Sequence, residues 1–156
     1  KKRGNKDQPF KLISEEEVKA ETEGGKYKRL NLEYGKLLKN PNSDFNLIEK
    51  YRKELSKIEN NWVNRNLKGI KLEKEGKIDK AIKLYEKNIE EEFDGSHPYT
   101  RLAIIYSKKG LLDDEIRVLK KAVWLFENVV YKERDNRSQK LDKFKKRLEK
   151  ANKKRL

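Results

Sequence analysis

Few residues in this chain could do acid–base or covalent chemistry, and their spacing gives them little to do together. The one histidine, His97, stands directly before Pro98. At a helix start it could touch a ligand, but such a residue is more often a capping or solvated loop histidine. Glu90-Glu91-Glu92 with Asp94 offers carboxylates to a cation. Consecutive helical positions point in different directions and cannot converge, so a solvated helix end accounts for the run. Asp113-Asp114-Glu115 resembles paired carboxylates, yet acidic residues at a helix start are favoured by the macrodipole alone. The scattered Ser, Tyr and Lys form no nucleophile–base arrangement, and Gly24-Gly25 lacks the Gly-Lys-Ser/Thr of a phosphate loop. The absence of cysteine excludes disulfides and thiolate metal sites. The chain therefore reads as a non-enzyme with no metal and no cofactor, and attention passes to binding.

The charge points to where binding could occur. Of the net +14, residues 1–11 contribute +4, residues 132–156 contribute +8 and the long middle only +2. Electrostatic partners belong at the two ends. Near the C-terminus, Lys143, Lys146, Arg147, Lys150, Lys153 and Lys154 surround a stripe of Leu141, Phe144 and Leu148. These cations could contact nucleic-acid phosphates, with steep salt dependence, or an acidic protein. A plain solubilising face, tempered by Asp142 and Glu149, is the first reading and stands ahead of both. Aromatic interleaving of the single-strand-binding kind is poor, because Phe144 lies on the apolar stripe. No apolar run approaches the roughly 20 residues needed to span a bilayer, so no membrane role is expected. The lack of cysteine fits a reducing compartment and a cytoplasmic place. The lack of methionine predicts the C-terminal part of a longer protein.

The elements that position these residues are helical. With 34% hydrophobic and 44% charged residues, the chain suits amphipathic helices that each need one apolar stripe. Residues 1–11 read as a flexible basic tail. Ser14 and Glu17 form a capping box, with a break expected at Gly24-Gly25. Tyr27, Leu30, Tyr34 and Leu37 share a helical face. After the stop at Asn40-Pro41-Asn42-Ser43, Ser43 or Asp44 can cap a helix with the stripe Phe45, Ile48, Tyr51, Leu55, Ile58 and Trp62. Residues 44–75 form either one helix or two that bend near Asn60-Asn61. Asp79 and Asp113 are expected N-caps, and Pro98 suits a first turn. From Ala122 to Tyr131 a helix is apolar almost all round through Trp124, Leu125, Val129 and Tyr131. That calls for cover from a last helix near 138–153.

Two stretches superpose when shifted by 34 residues: Gly69 on Ala103, Leu72 on Tyr106, Gly76 on Gly110, Asp79 on Asp113, Tyr85 on Leu119 and Asn88 on Ala122. A fixed period of this length marks stacked helical hairpins. Arg65, Lys68-Gly69, Leu72, Ala81 and Tyr85 in one copy, and Tyr99, Leu102-Ala103, Tyr106, Glu115 and Leu119 in the next, resemble the tetratricopeptide repeat (TPR). Arg65, Lys68 and Glu115 depart from its aromatic, leucine and small residue. The expected fold is all-α: a short TPR-like helical-hairpin solenoid. Its two repeats cover 62–129, an N-terminal helical segment covers 12–61 as a divergent hairpin, and a basic capping helix covers 130–156. The resemblance implies a protein- or peptide-binding adaptor. Its groove would be lined by Val63, Asn66, Ile70 and Glu73, then by His97, Thr100, Ile104 and Ser107. A carboxylate clamp is not carried over, because Ile70 follows Asn66 by one turn. The alternatives are a nucleic-acid-binding accessory domain using the basic termini and a dimer formed through the stripe of 44–62.

Overall fold

The computed structural model describes residues 21–130 and 134–156, and these are helical without a strand. The basic tail, the Ser14–Glu17 capping box and Tyr131 lie outside the described residues. In chain order the helices are α1 (Glu23–Lys39), α2 (Phe45–Lys74), α3 (Ile78–Glu90), α4 (His97–Lys108), α5 (Leu112–Asn128) and α6 (Arg137–Lys153). Each packs against the next. None of the described helices is long and apolar enough to cross a membrane.

The expected break at Gly24-Gly25 is instead the first turn of α1. The Thr22 hydroxyl accepts a hydrogen bond from the Gly25 N–H at 3.0 Å and caps the helix. Glycine is required at position 24 by a long-range contact. Its N–H donates to the Glu91 carbonyl at 2.8 Å, and a Cβ there would lie 2.5 Å from the Glu92 Cβ.

The choice between one helix and two over 44–75 resolves to one, running unbroken through Asn60-Asn61. Asp44, the nearer of the two expected caps, accepts from the Asn46 N–H at 2.8 Å. No glycine or proline interrupts the sequence before Gly69, so nothing forces a stop. At 1.5 Å per residue, α2 is roughly 45 Å long, enough to serve two cores. Its stretch from Leu55 to Trp62 places Leu55, Ile58 and Trp62 against Leu30 of α1, with Tyr27, Tyr34, Tyr51 and Phe93 around them. The stripe considered for a dimer is thus largely spent on α1, and only Phe45 at its start is strongly exposed, at 71%. Its second half leads to the larger core, formed by Ala81, Tyr85, Tyr99, Leu102, Leu119, Leu125 and Phe126 with their neighbours.

The 34-residue period recurs bond for bond at the hairpin turns. Lys77 N–H donates to the Leu72 carbonyl and Gly76 N–H to Glu73, as Leu111 donates to Tyr106 and Gly110 to Ser107. Both glycines are left-handed, with φ of 75° and 71°. This is the Schellman closure, in which glycine after the C-cap satisfies the last carbonyls. The turn is so short that Lys77 and Leu111 become the N-cap residues, without side-chain caps. Asp79 and Asp113, expected as caps, therefore fall inside the first turn, where they still favour the helix dipole. Gly76→Ala and Gly110→Ala should each cost about 1–2 kcal/mol by forcing a Cβ into left-handed backbone. Chemical unfolding should give nearly equal and additive losses, since no neighbour lies within 4 Å of either added Cβ.

The last two helices meet largely as expected. Phe144 of α6 packs on Phe126 at 5.4 Å and on Tyr99 at 6.3 Å between ring centroids. It thereby covers α4 as well as α5. Trp124 departs from the expectation of all-round burial. It is 46% exposed, and the Lys121 ammonium sits 4.7 Å from its ring. Leu125, Phe126 and Val130 supply the buried side instead.

Candidate functional site

The second half of α2, then α4, then α6 present neighbouring faces, and the expected groove residues lie there. Asn66, Ile70, Glu73, His97, Thr100, Ile104 and Ser107 are half-buried, and Val63 is 46% exposed. Cross-links tie α2 to α4. His97 Nδ1 is 2.9 Å from Asn66 Oδ1. Arg101 Nε donates to both oxygens of Glu73 at 3.0 and 3.1 Å, and the Tyr85 hydroxyl donates to Glu73 at 3.0 Å. A cavity of about 320 Å³ opens between Ile70, Glu73, Lys74, His97 and Arg101.

These contacts set the local electrostatics. The Arg101 hydrogen bond holds the Glu73 carboxyl below the usual range, against the opposing effect of burial. Burial, and after it the Arg101 charge, holds His97 below its ordinary 6.5. The imidazole is therefore neutral and bonded to Asn66 at pH 7. As pH falls through 6.5, the unfolded chain takes up a proton that the folded chain resists, so stability falls with it. Urea midpoints should drop between pH 7 and 5 in the wild type and drop less in His97→Gln.

The structure unites two surfaces that the sequence kept apart. Ile104 and Ser107 share a second cavity, of about 420 Å³, with Lys108, Glu115, Arg147, Lys150 and Lys154. Lys143, Arg147, Lys150 and Lys154 recur at four, three and four along α6 and share one face. Lys154 donates to the Ser107 hydroxyl at 3.1 Å and pairs with Glu115 at 3.5 Å. Lys153 lies further round and pairs with Glu149 at 3.2 Å, and Lys146 stands beside it, outside the cavity lining. Among the described residues, Lys143, Lys146, Arg147 and Lys150 make no ion pair.

Sequence reasoning missed Lys74, Arg101, Lys108 and Glu115. For Glu115 a signal existed, because it departs from the small residue of the repeat pattern. The charge is buried beside Lys154, 39 positions on. Arg65 has a similar reason. Its guanidinium donates to the buried Asn88 Oδ1 at 2.8 Å, and Asn88 Nδ2 donates to the Trp62 carbonyl at 3.1 Å. A polar link thus stands where the pattern has an aromatic.

The acidic runs do not converge. Glu91 binds Lys87 at 2.6 Å and accepts the Glu23 N–H at 2.7 Å. Glu92 pairs with Lys121 at 3.8 Å and Asp94 with Arg134 at 3.1 Å. Asp114 pairs with Arg117 at 3.1 Å, and Asp113 with Arg155. Among the described residues no cluster of His, Asp and Glu is arranged to hold a metal. No protein-family model, curated protein or solved structure matches the chain.

Proposed function

We propose that this chain is a non-enzymatic, cytoplasmic binding module that takes a peptide or a segment of another protein along the faces of α2, α4 and α6. In this reading the α2–α3 and α4–α5 hairpins are TPR-like repeats of a short solenoid, preceded by a divergent helical segment and closed by α6. One observation carries it: half-buried side chains on three helices border two open cavities, of about 320 and 420 Å³, with apolar Ile70 and Ile104 among their linings. The recurrence of the turn hydrogen bonds at a 34-residue interval supports the repeat assignment. Apolar positions beside fixed polar groups suit recognition of a segment by shape and a few anchors.

The test is selection from a random peptide display library. Selected peptides should lose binding to Ile70→Glu and to Ile104→Glu. They should keep it for Lys83→Glu and Lys120→Glu, exposed changes on the second helix of each hairpin. Equal binding to all four variants, or no selected peptide at all, would remove the groove.

Lys143, Lys146, Arg147 and Lys150, without an ion pair among the described residues, favour a second reading, nucleic-acid binding. Fluorescence anisotropy with single- and double-stranded DNA over a salt series separates the two. Binding that persists at physiological salt and is lost on charge reversal at Lys146 and Lys150 would displace the peptide reading.

A further inference from the structure

We infer that the segment bound in this groove is acidic at one end and apolar at the other, its carboxylates lying over α6 and its apolar side chains over α2. This rests on the peptide-binding reading above and narrows it to one class of ligand.

The charge balance within the groove is the first argument. Each carboxylate that lines a cavity already has a cation: Glu73 has Arg101, and Glu115 has Lys154. What remains is positive. Arg147 and Lys150 line the larger cavity without an ion-pair partner among the described residues, and Lys143 extends their face by one turn. Like-signed cations held beside one opening repel each other, and an acidic partner relieves that repulsion.

The second argument is the opposite character of the far side. Val63, Leu67 and Ile70 recur at four and three on α2. Val63 is 46% and Leu67 56% exposed. Between these apolar residues and the cations of α6 lies α4, which offers Thr100 and Ser107 together with Lys108 and the Glu73-paired Arg101. The exposed apolar residues are thus on α2, where Lys74 ends their row, and the unpaired positive charge gathers toward α6.

The third argument favours a peptide over a polynucleotide. No Phe, Tyr or Trp lines either cavity, so bases find no stacking platform.

Geometry sets a lower bound on the ligand's spacing. Helices in direct contact lie about 8–10 Å apart, and α4 meets both α2 and α6 through side chains, so the path from α2 over α4 to α6 is at least roughly 16–20 Å. An extended chain advances about 3.3 Å per residue. At least about five residues should separate the apolar anchors from the carboxylates.

The experiment uses the full chain and fluorescein-labelled synthetic peptides: two leucines, a five-residue Gly/Ser spacer and three glutamates, made in both chain directions. A scrambled peptide of the same composition, with leucines and glutamates alternating, is the comparison. In anisotropy titrations at physiological salt, one of the segregated peptides should bind about tenfold more tightly than the scrambled one. The triple variant Lys143→Glu, Arg147→Glu, Lys150→Glu should weaken it about tenfold or more, as the sum of several exposed ion pairs. Val63→Ser with Leu67→Ser should weaken it without changing its salt dependence. The scrambled-peptide comparison needs only the wild type, so a misfolded variant does not spoil the test.

Equal binding of segregated and scrambled peptides overturns the inference. Display-selected peptides that depend on Ile70 and Ile104 but carry no acidic end also overturn it, while leaving the groove itself intact. If neither designed nor selected peptides bind, both readings fall. Tighter binding of a 20-nucleotide single-stranded DNA, lost in the triple variant, overturns it in favour of nucleic acid.

Discussion

Trp62→Ala is expected to cost about 3–5 kcal/mol, the range for removing a large buried aromatic. That is a large share of the 5–15 kcal/mol that holds a typical domain together. The indole is fully buried and touches two separate pieces of chain. Tyr27 of α1 lies 5.2 Å away between centroids, and Phe93 of the α3–α4 loop lies 5.6 Å away. The backbone carbonyl of Trp62, which the substitution keeps, accepts the buried Asn88 amide. The core around Trp62 is small, with Leu30, Leu55 and Ile58 as its other buried members. A cavity there cannot be refilled by neighbours. The loss should be regional. Hydrogen exchange should accelerate in α1 and the first half of α2 well before α4–α6 respond, since those helices keep the larger core. A uniform rise in exchange across all helices would show that the two cores unfold as one, and a loss below 1 kcal/mol would deny Trp62 its joining role.

The second large effect is Gly69→Leu. A Cβ at Gly69 would lie 2.6 Å from Tyr85 Cε1 and 3.0 Å from Cδ1. The Tyr85 ring is fully buried, and its hydroxyl is tied to Glu73, itself held by Arg101. The ring has nowhere to go, so overpacking should cost about 3 kcal/mol, the upper end of the usual range. Gly35 is the internal control. Nothing lies within 4 Å of a Cβ there, and it sits in the interior of α1. Gly35→Ala should therefore stabilise by about 0.5–1 kcal/mol. Thermal melts that rank the two substitutions the other way would remove the close approach of α2 and α3. Because Gly69→Leu pushes on Tyr85, it should also disturb the Glu73–Arg101 pair; under the proposed function it should weaken capture of display-selected peptides, while Gly35→Ala leaves that capture unchanged.

What could be read from the sequence was what local rules and a period carry. Gly76 and Gly110 fall in the same phase, and their turns close with the same bonds. Pro98 lies in the first turn of α4, and the span of α6 was legible from Leu141, Phe144, Leu148 and Ala151. What could not be read depended on partners far along the chain. Gly24 looks like a helix breaker until Glu91 and Glu92 are seen against it. Glu115 looks like a defect in the repeat until Lys154 is seen beside it. Trp124 looked destined for burial on composition alone, but position on the helix gave the inward place to Leu125. The groove showed the same division. The phase of the repeat pointed to Ile70, Glu73, His97, Ile104 and Ser107, which border the two cavities, but not to Lys74, Arg101 and Lys108, while Val63, Asn66 and Thr100 line neither. The arrival of Arg147, Lys150 and Lys154 at Ile104 and Ser107 depended on how α6 folds back, which no spacing encodes.

The paired turns carry one more consequence. Residues 76–109 run from one Schellman glycine to the position before the next, and number 34. A duplicate of that stretch inserted between Lys109 and Gly110 would meet the same closing bonds at both of its ends. The copy would ask for no new linker and no new cap, and the pairing of α5 with α6 would be untouched. If the hairpins are repeats as proposed, length is an adjustable coordinate of this molecule, changed in fixed increments, and the proposed groove would gain one further helical face with each step.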